Sequence, residues 1–403
     1  MKSFAAPARS LQIAAFLTPP VAVLAPRTLA VILPLAALGA GLTAWHKRTL
    51  RFPPLAPTLV VLAALVWAAA STFWAYEPRL VWTIWPTIAA LAAAGLVLIA
   101  VALHLDDADR RQIETALVVG TLIAVTILCV EAVSMAVIGH PLTAVLHPRR
   151  PSTSSIFNRG VATIAILLWP AALGIWRRWG GIAAATMVIV TLAAVSRFES
   201  MAAVVGIVGG IVIGGIALWR ARPIAWAFAI LVVAGAAAAP VLPRLPAVDA
   251  LAERTRAGVV QGNGLVSIAH RLEIWHFVAK SIAERPVAGW GLNSSRDLPG
   301  GINEVAPGAR QLPLHPHNAM LQWWLELGAV GAALATMLVL VAVRGAVLLG
   351  DGTSRLVSAA SLAAVSSALV VALVGYGIWQ SWWMAALWLA AAFTAPTGAM
   401  PRR

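Results

Sequence analysis

Residues 80–103 read LVWTIWPTIAALAAAGLVLIAVAL, twenty-four positions without a charged side chain. As a helix such a stretch is long enough to cross the roughly 30 Å hydrocarbon core of a bilayer. Helical hydrogen bonding is also what lets a single segment satisfy its backbone there. Further runs of this kind lie on both sides of it. Apolar runs bounded by charges or turn residues fall at 11–26, 28–45, 55–73, 80–103, 113–139, 160–176, 180–196, 201–219, 223–241, 318–343, 356–375 and 381–397. The whole chain, 403 residues, is 61% hydrophobic and 11% charged, with a mean hydropathy of +0.87. Soluble domains carry roughly 45–50% apolar and about 25% charged residues. An ordinary water-soluble enzyme, a disordered regulator and a coiled coil are therefore excluded. The expected fold class is an all-α polytopic membrane protein of about twelve transmembrane helices. Its first run is interrupted by Pro19-Pro20 and also reads as a signal peptide.

The net charge of +14 follows membrane topology and does not point to nucleic acid. With the N-terminus inside, the inner segments carry 15 of the 29 Lys and Arg residues: Lys2, Arg9, Lys47, Arg48, Arg51, Arg110, Arg111, Arg177, Arg178, Arg220, Arg222, Arg344, Arg355, Arg402 and Arg403. The short outer segments carry six: Arg27, Arg79, Arg149, Arg150, Arg159 and Arg197. The excess places both termini in the cytoplasm. Cys129, the one cysteine, lies in an apolar run and excludes an internal disulfide or a Cys-rich metal site.

The chain divides into helices over 1–241, a long outer loop over 242–317 and helices over 318–403. The loop holds eight basic and six acidic residues and four of the eight histidines. Its length and composition mark it as functional. Within it, Ser267 to Arg285 reads as an amphipathic helix, with Ile268, Leu272, Trp275, Ala279 and Ile282 on one face. Arg271 falls at the edge of that stripe, where it either snorkels along the membrane surface or enters a protein cavity. Glu273, His276, Lys280 and Glu284 take the polar side.

The chemistry-bearing residues cluster on the outer side. Walker A, HExxH and paired Asp-x-Asp motifs are absent, and Asp106-Asp107-Ala108-Asp109 beside Arg110-Arg111 reads as a self-neutralising cytoplasmic turn. Any transferase built on this chain would use a donor already activated and lipid-linked, with neither cofactor nor metal. In Leu314-His315-Pro316-His317-Asn318, Pro316 keeps His315 out of helical conformation, and Asn318 is a good N-cap. His317 then stands at a helix entrance, where the dipole disfavours imidazolium and a neutral histidine can accept a proton. A second capping role, or a zinc pair with His315, is the alternative; zinc would need further ligands. Arg197, in Val195-Ser196-Arg197-Phe198-Glu199-Ser200, is a charge close to hydrocarbon, either functional or paired with Glu199 or lipid headgroups. Arg149, Arg150 and Arg159 bracket Ser152 to Asn158 on the same side. Guanidinium groups match phosphate oxygens, and these arginines would form a pyrophosphate site only by converging.

His317-Asn318, nine residues and then Gly328, with Gly331 three further on, resembles the signature of bacterial O-antigen ligases and the related O-antigen polymerases. The segments Trp323 to Gly331, Ser196-Arg197, His270 to Trp275, Pro286 to Leu292 and Ser154 to Asn158 are similar to that family in the same order, from about residue 150 to 345. The resemblance implies a membrane-embedded, GT-C-type, metal-independent inverting glycosyltransferase with its large loop in the periplasm and its helices in the bacterial inner membrane. It implies undecaprenyl-pyrophosphate-linked glycan as donor and a sugar hydroxyl of lipid A–core as acceptor for a ligase, or another glycan chain for a polymerase. On it, His317 corresponds to the essential histidine that deprotonates the acceptor, and Arg197 and Arg271 to the two essential arginines that bind the donor pyrophosphate. Arg149, Arg150, Arg159, His315 and Asn318 are possible additions. Phe198 departs from the small residue that commonly follows Ser-Arg.

A lipid-linked-glycan transporter is the competing class. It would show polar residues in mid-span and related halves. Here Glu131 and Glu326, both toward the outer ends of their runs, are the main acidic residues inside spans.

Overall fold

The computed structural model describes residues 7–134, 137–146, 154–248, 250–251, 254, 266–306, 309–350 and 354–397. Its helices are α1 (Pro7–Leu24), α2 (Leu29–His46), α3 (Leu55–Ala70), α4 (Pro78–Leu103), α5 (Asp107–Ser134), α6 (Gly139–Leu146), α7 (Asn158–Val195), α8 (Met201–Ala238), α9 (Val266–Glu284), α10 (Ala319–Gly350), α11 (Arg355–Val374) and α12 (Ser381–Thr394). One short antiparallel hairpin pairs Glu304–Ala306 with Ala309–Arg310. Among the described residues, eight helical stretches are long and apolar enough to cross a membrane; α1 and α12 are not among them.

Each of the twelve apolar runs is helical, but they are not twelve separate helices. The runs at 160–176 and 180–196 are the two legs of α7, broken at Gly180. A straight helix of 38 residues would hold its ends about 57 Å apart. Yet Phe157, just before α7, lies 5.5 Å from Phe198, just after it, so α7 doubles back at Gly180. Gly180 has φ 85° and ψ 177°, a conformation open essentially to glycine. The runs at 201–219 and 223–241 are likewise the legs of α8, broken at Arg220. The run at 113–139 stops at Ser134, before the separate short helix α6. The first run stays helical through Pro19 and Pro20.

Small residues set the contact between α8 and α11. Gly206 and Gly214 of α8 face Val371 and Ala363 of α11 at distances that leave no room for a side chain. Ser367 of α11 donates to the Gly206 carbonyl at 2.7 Å, and Trp169 of α7 donates to Ser367 Oγ at 2.7 Å. Close backbone approach and interhelical hydrogen bonds are the means of holding helices together where lipid removes the hydrophobic drive. This contact fixes α11 and, with it, the turn that follows Val374.

The two ends of the bundle differ chemically. At the end where α7 reverses, Glu114 accepts from Arg177 at 2.5 Å and from Arg178 at 2.7 Å, and Arg177 also donates to the Thr397 carbonyl. The other end carries α9, the hairpin, the start of α10 and the α11–α12 turn. Ile274, Val278 and Ile282 of α9 pack with Leu321 and Leu325 of α10 and with Trp290, Leu298 and Leu312. Leu272 and Ala279 are buried as well. At 100° per residue, Arg271 lies in the middle of this buried arc and not at its edge. The expected stripe missed Ile274 and Val278 because α9 is covered by α10 on one flank and by its own loop on the other. The side chain of Ile268 lies outside the described residues.

Candidate functional site

The site is assembled by the turn Val374-Gly375-Tyr376-Gly377-Ile378-Trp379-Gln380 between α11 and α12. Arg271 of α9 donates through Nη1 to the Val374 carbonyl. His317 donates its Nδ1–H to the Gly375 carbonyl at 2.9 Å. Tyr376 is hydrogen-bonded to Ser200, at the start of α8, and its hydroxyl feels the charges of Arg159 and Arg271. Three consecutive residues thus reach α9, the approach to α10 and the α7–α8 turn. Gly377 packs so tightly that a Cβ there would stand 2.8 Å from the His315 ring.

His317 has φ 54°, an uncommon left-handed conformation for a residue with a Cβ. It follows Pro316, whose carbonyl accepts from Trp275 Nε1 at 2.8 Å. Asn318 Oδ1 accepts from the Leu321 amide at 3.0 Å, capping the first turn of α10. A carbonyl acceptor requires hydrogen on Nδ1, so in neutral His317 the lone pair is on Nε2. Burial lowers the His317 pKa below the ordinary histidine value, opposed by the Gly375 hydrogen bond and reinforced by Arg271 and His270. The ring is accordingly a neutral proton acceptor at physiological pH.

His315 stands beside it, with ring centroids 4.3 Å apart. Its Nδ1 faces the His317 amide at 3.2 Å and its Nε2 faces the Gln380 side-chain nitrogen at 3.3 Å. A neutral imidazole has one lone pair, so it fully accepts only one of these bonds, and protonation would lose both. Burial, then His317, Arg296 and Arg271, push its pKa down to about 3. His315 braces His317 and does not exchange protons near neutrality.

Arg197 is exposed on the α7–α8 turn, three residues before the buried Ser200 that bonds Tyr376. Arg159, at the start of α7, lies 6.0 Å over the Trp382 ring. Arg149 and Arg150 lie outside the described residues. Arg296, which no motif singled out, bonds Asn293 Oδ1 at 3.0 Å and faces His315. Among the described residues no three His, Cys, Asp or Glu side chains form a metal-ligating group.

The loop carrying Arg296 is fastened by Glu326, fully buried in α10. Its carboxylate accepts from the Asn293 amide, Ser295 Oγ, Gln322 Nε2 and Trp379 Nε1. Gln322 in turn accepts from the Ile378 amide at 3.0 Å. Two residues on, Gly328 breaks α10 with φ 65° and ψ −163°. The carbonyls released by the break are taken up by the loop: Trp290 donates to Leu325 at 2.9 Å and Gly291 to Glu326 at 2.8 Å, while Ala329 donates back to Pro286 at 2.8 Å. A Cβ on Gly328 would be driven into the Val287 carbonyl. The glycines of the His-Asn-x9-Gly and Pro286 to Gly291 segments are therefore two sides of one backbone joint.

The family model described as O-antigen ligase matches residues 182–336. That stretch resembles an O-antigen ligase domain. A protein of Rickettsia prowazekii (strain Madrid E) named "Putative polysaccharide ligase RP358" is 32% identical over 243 residues, 58% of this chain and 57% of that protein. A similarly named protein of Rickettsia conorii (strain ATCC VR-613 / Malish 7) is 29% identical over 288 residues, 70% of this chain and 66% of that one. A third, from Rickettsia bellii (strain RML369-C), is 30% identical over 294 residues, 70% of this chain and 66% of its own length. The matches thus span less than two thirds of these relatives.

The matched stretch contains Arg197, Arg271, His315, His317, Asn318 and Gly328, whereas Arg159 and the turn at 374–380 lie beyond it. The geometry centred on His317 therefore depends on residues outside the matched stretch. Sequence reading missed Tyr376 and Gln380 because they sit between two apolar runs taken only as spans. The signal was present: Gly375-Tyr376-Gly377 and Gln380 interrupt the apolar pattern on the side assigned to His317.

Proposed function

We propose that this chain is an O-antigen ligase, a membrane glycosyltransferase that moves glycan from undecaprenyl pyrophosphate to a sugar hydroxyl of lipid A–core. The carrying observation is that His317 and Arg271 are held on adjacent carbonyls, Gly375 and Val374. A base and a fixed cation on one turn suit a displacement in which a proton leaves as negative charge develops on pyrophosphate.

In this mechanism Nε2 of His317 takes the acceptor hydroxyl proton as that oxygen attacks the anomeric carbon. The bond from that carbon to the pyrophosphate oxygen breaks, the configuration inverts, and undecaprenyl pyrophosphate departs. Arg271 and Arg197 stabilise the leaving charge. Guanidinium suits this task because it stays protonated and offers paired donors. Asn318 starts α10 at the residue after the base, and His315 braces it. With arginines supplying the cations, transfer proceeds without a divalent metal. The active face is the periplasmic side of the bacterial inner membrane, both termini are cytoplasmic, and residues 242–317 are the large periplasmic loop that carries catalytic residues. The bundle is of GT-C type, with twelve transmembrane legs counted across α7 and α8.

The test is transfer by purified protein in EDTA, with undecaprenyl-pyrophosphate-linked glycan, lipid A–core and a His317→Ala control. EDTA-resistant modification of lipid A–core that is lost in the folded variant supports the ligase. Lengthening of lipid-linked glycan alone would make the chain a polymerase. Intact donor with no covalent product would point to a transporter.

A further inference from the structure

Tyr376 has a position that packing alone does not explain. Its ring meets Trp382 edge-on, with centroids 4.8 Å apart and planes at 87°. The same Trp382 carries the Arg159 guanidinium 6.0 Å over its ring. Arg271 is anchored two residues away, on Val374. The phenol hydroxyl is bonded to Ser200 and feels the charges of Arg159 and Arg271, two guanidinium groups from separate helices. A phenylalanine would fill the same volume against Trp382.

A phenol hydroxyl has one hydrogen to donate and lone pairs to accept with. Burial raises the pKa of Tyr376 to about 12, outweighing Ser200, Arg159 and Arg271, so the group keeps its hydrogen. Two permanent cations and a neutral donor grouped around the Trp382 ring and the Val374–Tyr376 turn suit an anion with several oxygens on two linked centres.

Resting on the donor assignment above, we propose that Tyr376 Oη is a ligand of the donor pyrophosphate, acting with Arg159 and Arg271, and that it distinguishes a pyrophosphate lipid from a monophosphate lipid. The second phosphate supplies the oxygen this hydroxyl reaches; a monophosphate is held by guanidinium groups alone.

The experiment measures binding of undecaprenyl pyrophosphate and undecaprenyl monophosphate to the full chain in nanodiscs, without acceptor. Wild type, Tyr376→Phe and Arg271→Ala are compared. Tyr376→Phe is expected to weaken pyrophosphate-lipid binding roughly tenfold, the scale of a hydrogen bond to a charged group, with monophosphate binding unchanged. An equal loss for both lipids would reduce Tyr376 to a structural role, and no loss for either would also overturn the assignment. Should the Phe variant fail to give a monodisperse protein, Tyr376→Met removes the hydroxyl with a flexible apolar side chain in place of the ring. The same selective loss there supports the proposal, and unaltered selectivity overturns it. Wild type that binds neither lipid removes the donor assignment itself. Wild-type binding abolished by Arg271→Ala but retained by Tyr376→Phe removes only the tyrosine.

Discussion

The Nδ1–H of His317 is donated to the carbonyl of Gly375, 58 residues further along the chain, at 2.9 Å. This bond selects the tautomer, orients the ring and joins the start of α10 to the end of α11. Arg271 meets the preceding carbonyl from α9, so the His317 ring and the Arg271 guanidinium are held on one turn.

His317→Ala is expected to lower turnover by roughly 10²–10⁴-fold, the usual range for general-base assistance, while leaving binding of undecaprenyl pyrophosphate intact. Steady-state transfer measured beside direct lipid binding separates the two. Because burial lowers the His317 pKa, activity in wild type should reach its plateau below the pH at which an ordinary histidine would. An acidic limb centred above about 6.5 would contradict the neutral ring.

Arg271→Lys retains the charge but loses the planar fork that grips Val374 and, in the proposed mechanism, the donor pyrophosphate. Donor affinity should fall roughly tenfold or more, as for other charge-assisted hydrogen bonds. Donor-concentration series on the purified variant provide the check; wild-type affinity would show that charge alone suffices.

His315 makes stability depend on pH. Its folded pKa is about 3, below the unfolded value of about 6.5, so between those values the unfolded chain binds more protons. Stability is therefore full above about 6.5 and falls as pH drops toward 3. Thermal unfolding in detergent should show this decline in wild type. His315→Gln should flatten it, and an equally steep decline in the variant would place its origin elsewhere.

Gly328→Ala should cost about 1–3 kcal/mol from its backbone conformation alone, before the collision with Val287. Gly345, in the same helix, has open space at its Cβ position, and Gly345→Ala should stabilise by about 0.5–1 kcal/mol. Paired unfolding curves test the contrast.

Glu326→Gln replaces one acceptor oxygen with an amide donor among four donors. An unsatisfied buried group costs about 1–3 kcal/mol, and the segment 290–297 should become sensitive to added protease. Limited proteolysis followed by mass spectrometry locates the cut, and an uncut loop would show that Glu326 is not its fastening.

Several features were legible in the residues because they are local. A run such as 80–103 must be helical in lipid, since its backbone groups have no other partners there. Asn318 caps α10 three residues from the amide it accepts. The amphipathic reading of 267–285 located α9 to within a residue, although it put Arg271 at the rim of the stripe because the second packing partner of α9 is remote in sequence. Remote contacts alone decided the rest. Gly180 turns two apparent spans into one hairpin through a contact between Phe157 and Phe198. Arg271 reaches Val374 across 103 residues. Hydropathy and capping are properties of neighbours along the chain. The meeting of His317, Arg271 and Tyr376 depends on how closely α8 approaches α11 and where Gly328 interrupts α10, and such distances exist only once the helices have packed.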